Sequence, residues 1–225
     1  MASIPLTEEL FDLSHTAAAP LLRSCRYPWE ALPRLRAFIE ELGPTLPPEE
    51  YTESAPGIWV GRDVTIAPTA TILPPAIIGA GTEIRPGAFI RGSVLIGERV
   101  VVGNSTELKN AILSDEVQVP HYNYVGDSIL GYRAHMGAGA IATNIRSDKQ
   151  NIVIHGVPGS GDRIESGLRK IGAFLGDCAE VGCNAVLFPG AIVGRGSMVY
   201  PLTRVRGSVP PRYICRGERQ CFPMR

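Results

Sequence analysis

VGRDVTIAPTATILPPAIIGAGTEIRPGAFIRGSVLIGERVVVGNSTEL, Val60 to Leu108, is the stretch that decides the fold. An aliphatic residue returns every six positions along it: Val60, Ile66, Ile72, Ile78, Ile84, Ile90, Ile96, Val102 and Leu108. The march goes on with two steps of five among its sixes, through Leu113, Val119, Val125, Leu130, Met136 and Ala142. After a pause it resumes at Leu175, Val181, Leu187, Val193, Val199 and Val205. Four places after most of these stands a small or β-branched residue, such as Val64, Ala70, Thr82, Ala88 or Ala185. Such a period fits neither a helix nor a simple alternating strand. It fits a short strand and a turn, three units to a triangular coil, with each aliphatic pointing inward and successive coils pairing as parallel strands. The twenty-one units make seven coils, a prism roughly 30 Å tall at about 4.8 Å per coil.

The rest of the composition narrows the class. With 22 basic and 22 acidic residues among 225, nothing global draws the chain to nucleic acid or to an anionic membrane. No apolar run approaches the roughly 18 residues of a membrane helix, and no signal-peptide layout opens the chain, which predicts a cytoplasmic protein. The five cysteines are an odd number with no CxxC pair, so free thiols and small apolar fillers are expected rather than a disulfide framework or a zinc site.

Outside the repeat, residues 1–57 read as a helical segment and linker. One helix is predicted from a Thr7 cap to about Ser24, and another from Trp29 to Leu42 ending at Gly43, both packing on the first coil or on a neighbouring subunit. TLPPEEYTESAPG, 45–57, reads as the linker. The prism is expected over 58–211, stopped by Pro210-Pro211, with a polar excursion at about 145–170 holding two short strands. A long loop leaving a rigid repeat is commonly functional. The tail 212–225 shows no assignable element.

Counting along the coils places side chains that are distant in sequence on neighbouring rungs. Asn104 and His121 take one slot on adjacent coils, and Ala138 takes it on the next. Glu107 and Tyr124 stack at the corner leading to the third face. Lys109 lies just beyond that corner, and Arg85 lies one coil below Asn104. A cation pair, a carboxylate and a histidine on one edge make up a site that can hold an anion and move a proton. Solvent-facing slots of such a coil are polar in any case, so a merely solvated edge remains open. His135, His155 and His15 carry weaker signals, and no HExxH or Ser-His-Asp order is present.

IRPGAF, VGNSTELKNA, VPHYNYVGDSILG and HMGAGAIATN together resemble, in order and spacing, the C-terminal acetyltransferase domain of the bifunctional N-acetylglucosamine-1-phosphate uridyltransferase and glucosamine-1-phosphate acetyltransferase. The resemblance implies a left-handed parallel β-helix of hexapeptide repeats, a cytoplasmic homotrimer, and an acyl-CoA-dependent N-acetyltransferase working on an amino-sugar phosphate or nucleotide amino sugar. It implies His121 as general base. Arg85, Lys109 and Tyr124 would bind the sugar phosphate, Glu107 and Asn144 would contact the sugar, and Ala138 and Cys183 would line the acetyl-CoA channel. No metal is implied. Pro120, Thr143, Ile145 and Pro201 depart from the domain's pattern and bear on the acceptor. A non-catalytic sugar-phosphate-binding or regulatory module, partnering a separate sugar nucleotidyltransferase, remains a second reading.

Overall fold

The computed structural model describes residues 4–217 and 220–224. Its body is a left-handed parallel β-helix with three faces. On the first face Val60, Ile78, Ile96, Leu113, Leu130, Leu175, Val193 and Val209 stand in register on successive strands. The second face stacks Ile66, Ile84, Val102 and Val119, then Met136, Val181, Val199 and Cys215. The third stacks Ile72, Ile90, Leu108, Val125, Ala142, Leu187 and Val205. Both five-residue steps fall where the count put them, since Leu113 and Leu130 keep register with Ile96 and Leu175. From Ile78 onward these side chains are buried in one continuous core, while in the first coil Val60 and Ile72 are partly buried and Ile66 is 38% exposed. The corners turn through left-handed backbone even at non-glycine residues: Glu116 (φ 59), Tyr122 (φ 52) and Asp127 (φ 50) each mark a different one. Isolated residues in that region are tolerated where a coil must bend sharply.

The N-terminal residues, expected to pack on the first coil or on a neighbouring subunit, reach Trp59 of the first coil and extend well beyond it. They lie along the outer side of the first face. There the outward residues are also apolar: Trp59, Ile77, Leu95, Ile112, Ile129, Phe174 and Ile192 form a stripe running up the prism. Leu10, Leu21, Leu22, Trp29, Leu32, Leu35 and Ile39 bury that stripe. Strands apolar on both sides are those a parallel sheet must cover. Each outward Ile or Leu so buried contributes about 1.5–3 kcal/mol.

The single helix expected over 7–24 is broken into Thr7–Leu10, a short 3-10 turn at Leu13–His15, and Ala19–Arg23. The cause is tertiary. The Asp12 N–H donates to the Asp177 carboxylate of the coil at 2.7 Å, and the Asp12 carboxylate accepts the Ser14 N–H at 3.0 Å, which turns the chain. Thr7 is the first helical residue rather than the cap, and the Leu6 N–H is taken by Glu9 at 2.8 Å. The second predicted helix is a 3-10 run at Pro28–Arg34 leading into an α-helix at Leu35–Leu42 that ends at Gly43.

Both ends of the prism differ from expectation. The predicted linker contains the strand Tyr51–Ala55, paired antiparallel with Ile58–Gly61. Beyond Pro210-Pro211, Tyr213–Cys215 pairs in parallel with Met198 and Val199, and Cys221–Pro223 folds back on it antiparallel. The two prolines sit at a corner, where no ladder N–H is called for, so they do not end the coil. Cys215 and Cys221 form a disulfide across this hairpin, contrary to the free thiols expected; Cys25, Cys178 and Cys183 are free.

The excursion is a hairpin of Val153–His155 and Arg163–Glu165. Ile152 and Ile154 anchor it in the outer apolar layer. Its neck is closed by the Ile171 N–H donating to the Asn144 carbonyl at 3.1 Å and the Gly172 N–H donating to that of Asp127 at 2.7 Å.

Candidate functional site

The residues singled out by coil counting fall into two adjoining groups. The first lies on the third face and its outgoing corner, centred on Asp127, a side chain only 5% exposed. Its carboxylate accepts from Asn144 Nδ2 at 2.6 Å and Asn110 Nδ2 at 2.8 Å, and from Lys109 Nζ at 3.3 Å on each oxygen. Asn144 Nδ2 also donates to the Tyr124 hydroxyl at 3.0 Å. Glu107 is in register with Tyr124 on the next strand, and its Oε1 accepts from Arg91 at 2.6 Å. Burial holds the Tyr124 phenol above its ordinary pKa, and the Asp127 and Glu107 charges add to the rise. Gly126 permits this arrangement: a Cβ there would fall on the Tyr124 hydroxyl.

The second group is a column at the corner between the second and third faces. His121 pairs with Asn104 in register. The backbone ladder of this corner runs on through the Gly139 N–H to the His121 carbonyl (3.0 Å), Asn184 to Ala138 (2.9 Å) and Leu202 to Cys183 (2.9 Å). Ala138, Cys183 and Pro201 thus continue the edge above His121. Beneath it the buried Asn123 side chain fixes the turn, donating to the carbonyls of Gly137 at 2.8 Å and Ala140 at 3.1 Å and accepting the His121 N–H at 3.2 Å. His121 itself is exposed, and among the described residues its imidazole has no hydrogen-bonding partner.

Lys109, Tyr124 and Asn144 are therefore brought to one buried carboxylate, with Glu107 alongside, and His121 opens the turn that Tyr124 closes. Arg85 stands apart from them. It lies on the second face, two strands below Pro120, and its guanidinium pairs with Glu83 of its own strand at 3.0 Å. His135 is a strand residue of the second face and no part of this edge; its Nδ1 meets Glu180 at 2.8 Å. Asp127 and Asn123 were not singled out from sequence. In sequence they are ordinary polar residues after Tyr122 and Gly126, and only their burial distinguishes them.

Comparison with known proteins places this edge in context. Residues 72–160 match the model of the GMPPB C-terminal domain. The bifunctional sugar-1-phosphate nucleotidylyltransferase/acetyltransferase of Sulfurisphaera tokodaii is 34% identical over 116 residues, 52% of this chain and 27% of that protein. The bifunctional protein GlmU of Methanococcus maripaludis is 35% identical over 97 residues, 43% of this chain and 23% of that one. The chain so spans 27% and 23% of the length of these relatives. Among solved structures, the UDP-N-acetylglucosamine acyltransferase of Campylobacter jejuni has a TM-score of 0.44 at 18% identity, covering 73% of this chain and 69% of that one. Over about half of its length the chain thus resembles GlmU-type bifunctional proteins and the GMPPB C-terminal domain. Among the described residues no helix is long and apolar enough to cross a membrane, and no group of three or more metal-ligating side chains gathers.

Proposed function

We propose that this chain transfers an acetyl group from acetyl-CoA to the amine of an amino-sugar phosphate or nucleotide-linked amino sugar. The observation that carries the reading is the polar cluster of Lys109, Tyr124, Asp127 and Asn144 beside a histidine that has no side-chain partner among the described residues, at the same turn. Lys109 supplies the positive charge for the phosphate of the acceptor, and Arg91 and Glu107 border the sugar. Arg85 takes part only if its guanidinium leaves Glu83.

The neutral amine attacks the thioester carbonyl. As the C–N bond forms, His121 accepts the amine proton, and a backbone N–H stabilises the oxyanion. The tetrahedral intermediate then collapses with cleavage of C–S, and the imidazolium returns the proton to the departing thiolate. No covalent enzyme intermediate is required, because the thioester is already activated. Acetyl-CoA fits along the ledge above His121, where Ala138, Gly139 and Cys183 present small side chains. Exposed Tyr122 (64%), Leu202 (80%) and Ile141 (36%) flank that ledge. An apolar rim of this kind marks an interface, and a homotrimer in which a second copy walls the channel accounts for it.

A second reading rests on a specific observation: Lys109 and Arg85 are already paired within the chain, as a binding or regulatory module without turnover would tolerate. Thiol release from acetyl-CoA, measured with glucosamine 1-phosphate and a panel of amino sugars, decides between them. Release that disappears in His121→Ala supports transfer. Sugar-phosphate binding without any release supports the module.

A further inference from the structure

The tip of the excursion hairpin and the last coils enclose a cavity of about 650 Å³. That volume lies in the range of small-ligand sites. Its position is far from the His121 ledge. Arg204 stands three strands beyond Tyr124 on the third face, by way of Ile141 and Val186, about 14 Å along the prism, and the cavity lies over the last inward residues Val205, Val209 and Cys215.

Three observations describe the ligand that fits. The turn HGVPGSGDR, His155 to Arg163, carries Gly159 at φ 91 and Gly161 at φ 75, and a Cβ on either would meet nothing within 4 Å. A glycine-rich turn with open space above it lets backbone N–H groups approach an anion. Next, Arg204 and Arg206 line the cavity from the coil, two cations against the one carboxylate of the lining, Asp162. Burial first, and then the charges of Arg206, Arg146 and Arg163, hold the His155 imidazole below its ordinary pKa, with Glu165 opposing. Lastly, the floor is apolar, formed by Val205, Val209 and the Cys215–Cys221 disulfide. The turn is held in place, since Ser208 Oγ donates to the His155 carbonyl at 2.8 Å and the Ser208 N–H to that of Gly156 at 3.3 Å.

We infer that this cavity binds a phosphorylated nucleoside, with the phosphate between the glycine turn and the two arginines and the nucleoside on the apolar floor. Such a group can arrive free or as one end of a larger molecule. Calorimetry on the full chain with adenosine 3′,5′-bisphosphate, uridine 5′-diphosphate and inorganic phosphate tests it. At least one of the two nucleotides should bind, and comparing the two separates the sources. Arg206→Glu should weaken that binding at least tenfold with an unchanged melting temperature, Gly161→Val should weaken it as much while lowering the melting temperature, because φ 75 disfavours a β-branched residue, and His121→Ala should leave it as it was. If Arg206→Glu melts early, Arg206→Gln is judged by the same criterion. No nucleotide binding, or binding indifferent to both cavity variants, overturns the inference. Inorganic phosphate binding as tightly as either nucleotide overturns the nucleoside assignment. Because the readout is binding at residues outside the His121 edge, failure here leaves the acyl-transfer reading standing, and the reverse.

Discussion

Asn144 donates to the Asp127 carboxylate at 2.6 Å, joining the last residue of the repeat before the excursion to a corner residue of the coil below. With the Gly172 N–H on the Asp127 carbonyl at 2.7 Å, this one aspartate fastens both the departure and the return of the excursion.

Replacing it should therefore be costly. Asp127→Asn keeps the volume but turns an amide toward Asn110, Asn144 and Lys109, all donors, and leaves a half-buried ammonium without its counter-charge. A loss of about 3 kcal/mol is expected from breaking a buried pair on one side, read by urea denaturation. A loss below about 0.5 kcal/mol, the level of an ordinary surface change, would show that the carboxylate does not organise this corner.

His121→Ala should act in the opposite sense. The ring is exposed and has no partner among the described residues, so melting temperature should hold. Thiol release should fall by about 100-fold or more, the usual contribution of a positioned base. Activity retained within a few-fold would remove the histidine from the reaction.

The two apolar surfaces of the prism should respond differently. Ile112, fully buried under the N-terminal helices, should cost about 2–5 kcal/mol as Ile112→Ala. Ile141→Ala, 36% exposed on the third face, should change monomer stability by under about 0.5 kcal/mol yet weaken self-association in sedimentation. Unchanged sedimentation would argue against that face as the contact between copies.

Acid should loosen the hairpin. His155 has a folded pKa below its ordinary 6.5, chiefly through burial and then through Arg206, Arg146 and Arg163. The unfolded chain binds the proton more readily, so this residue's contribution is present above pH 6.5 and is lost as pH falls from there through the folded value. In His155→Gln the stability profile between about pH 5 and 7 should flatten. An identical slope in both proteins would contradict the assignment.

What was legible in the chain follows from what its periodicity records. Inward aliphatics recur because the core demands them, so the register of all three faces could be counted, short steps included. The outward stripe was equally written, in Ala76-Ile77-Ile78, Val94-Leu95-Ile96 and Ala111-Ile112-Leu113, where the middle residue is as apolar as its neighbours. Tracking only the inward position hid it, and with it how far up the prism the N-terminal helices reach beyond the first coil. Arg85 was placed with the phosphate ligands because counting gives position along the prism and not partner choice. Glu83 and Arg85 point the same way from one strand, so their pairing needs only period two. Pro210-Pro211 reads as a stop in any strand, and only the corner geometry shows why Tyr213–Cys215 continues the coil.

Each end of the prism is closed by a reversal of direction. Tyr51–Ala55 lies antiparallel on the starting strand of the first face, and Cys221–Pro223 lies antiparallel on the final strand of the second. A bare parallel rung is a template on which another copy's rung can stack, and repetition of that step makes a fibre. An inverted strand offers the wrong polarity to continue the coil. The chain has thereby terminated its own screw at two of its exposed rungs, and growth along the axis is blocked there while association side by side stays available.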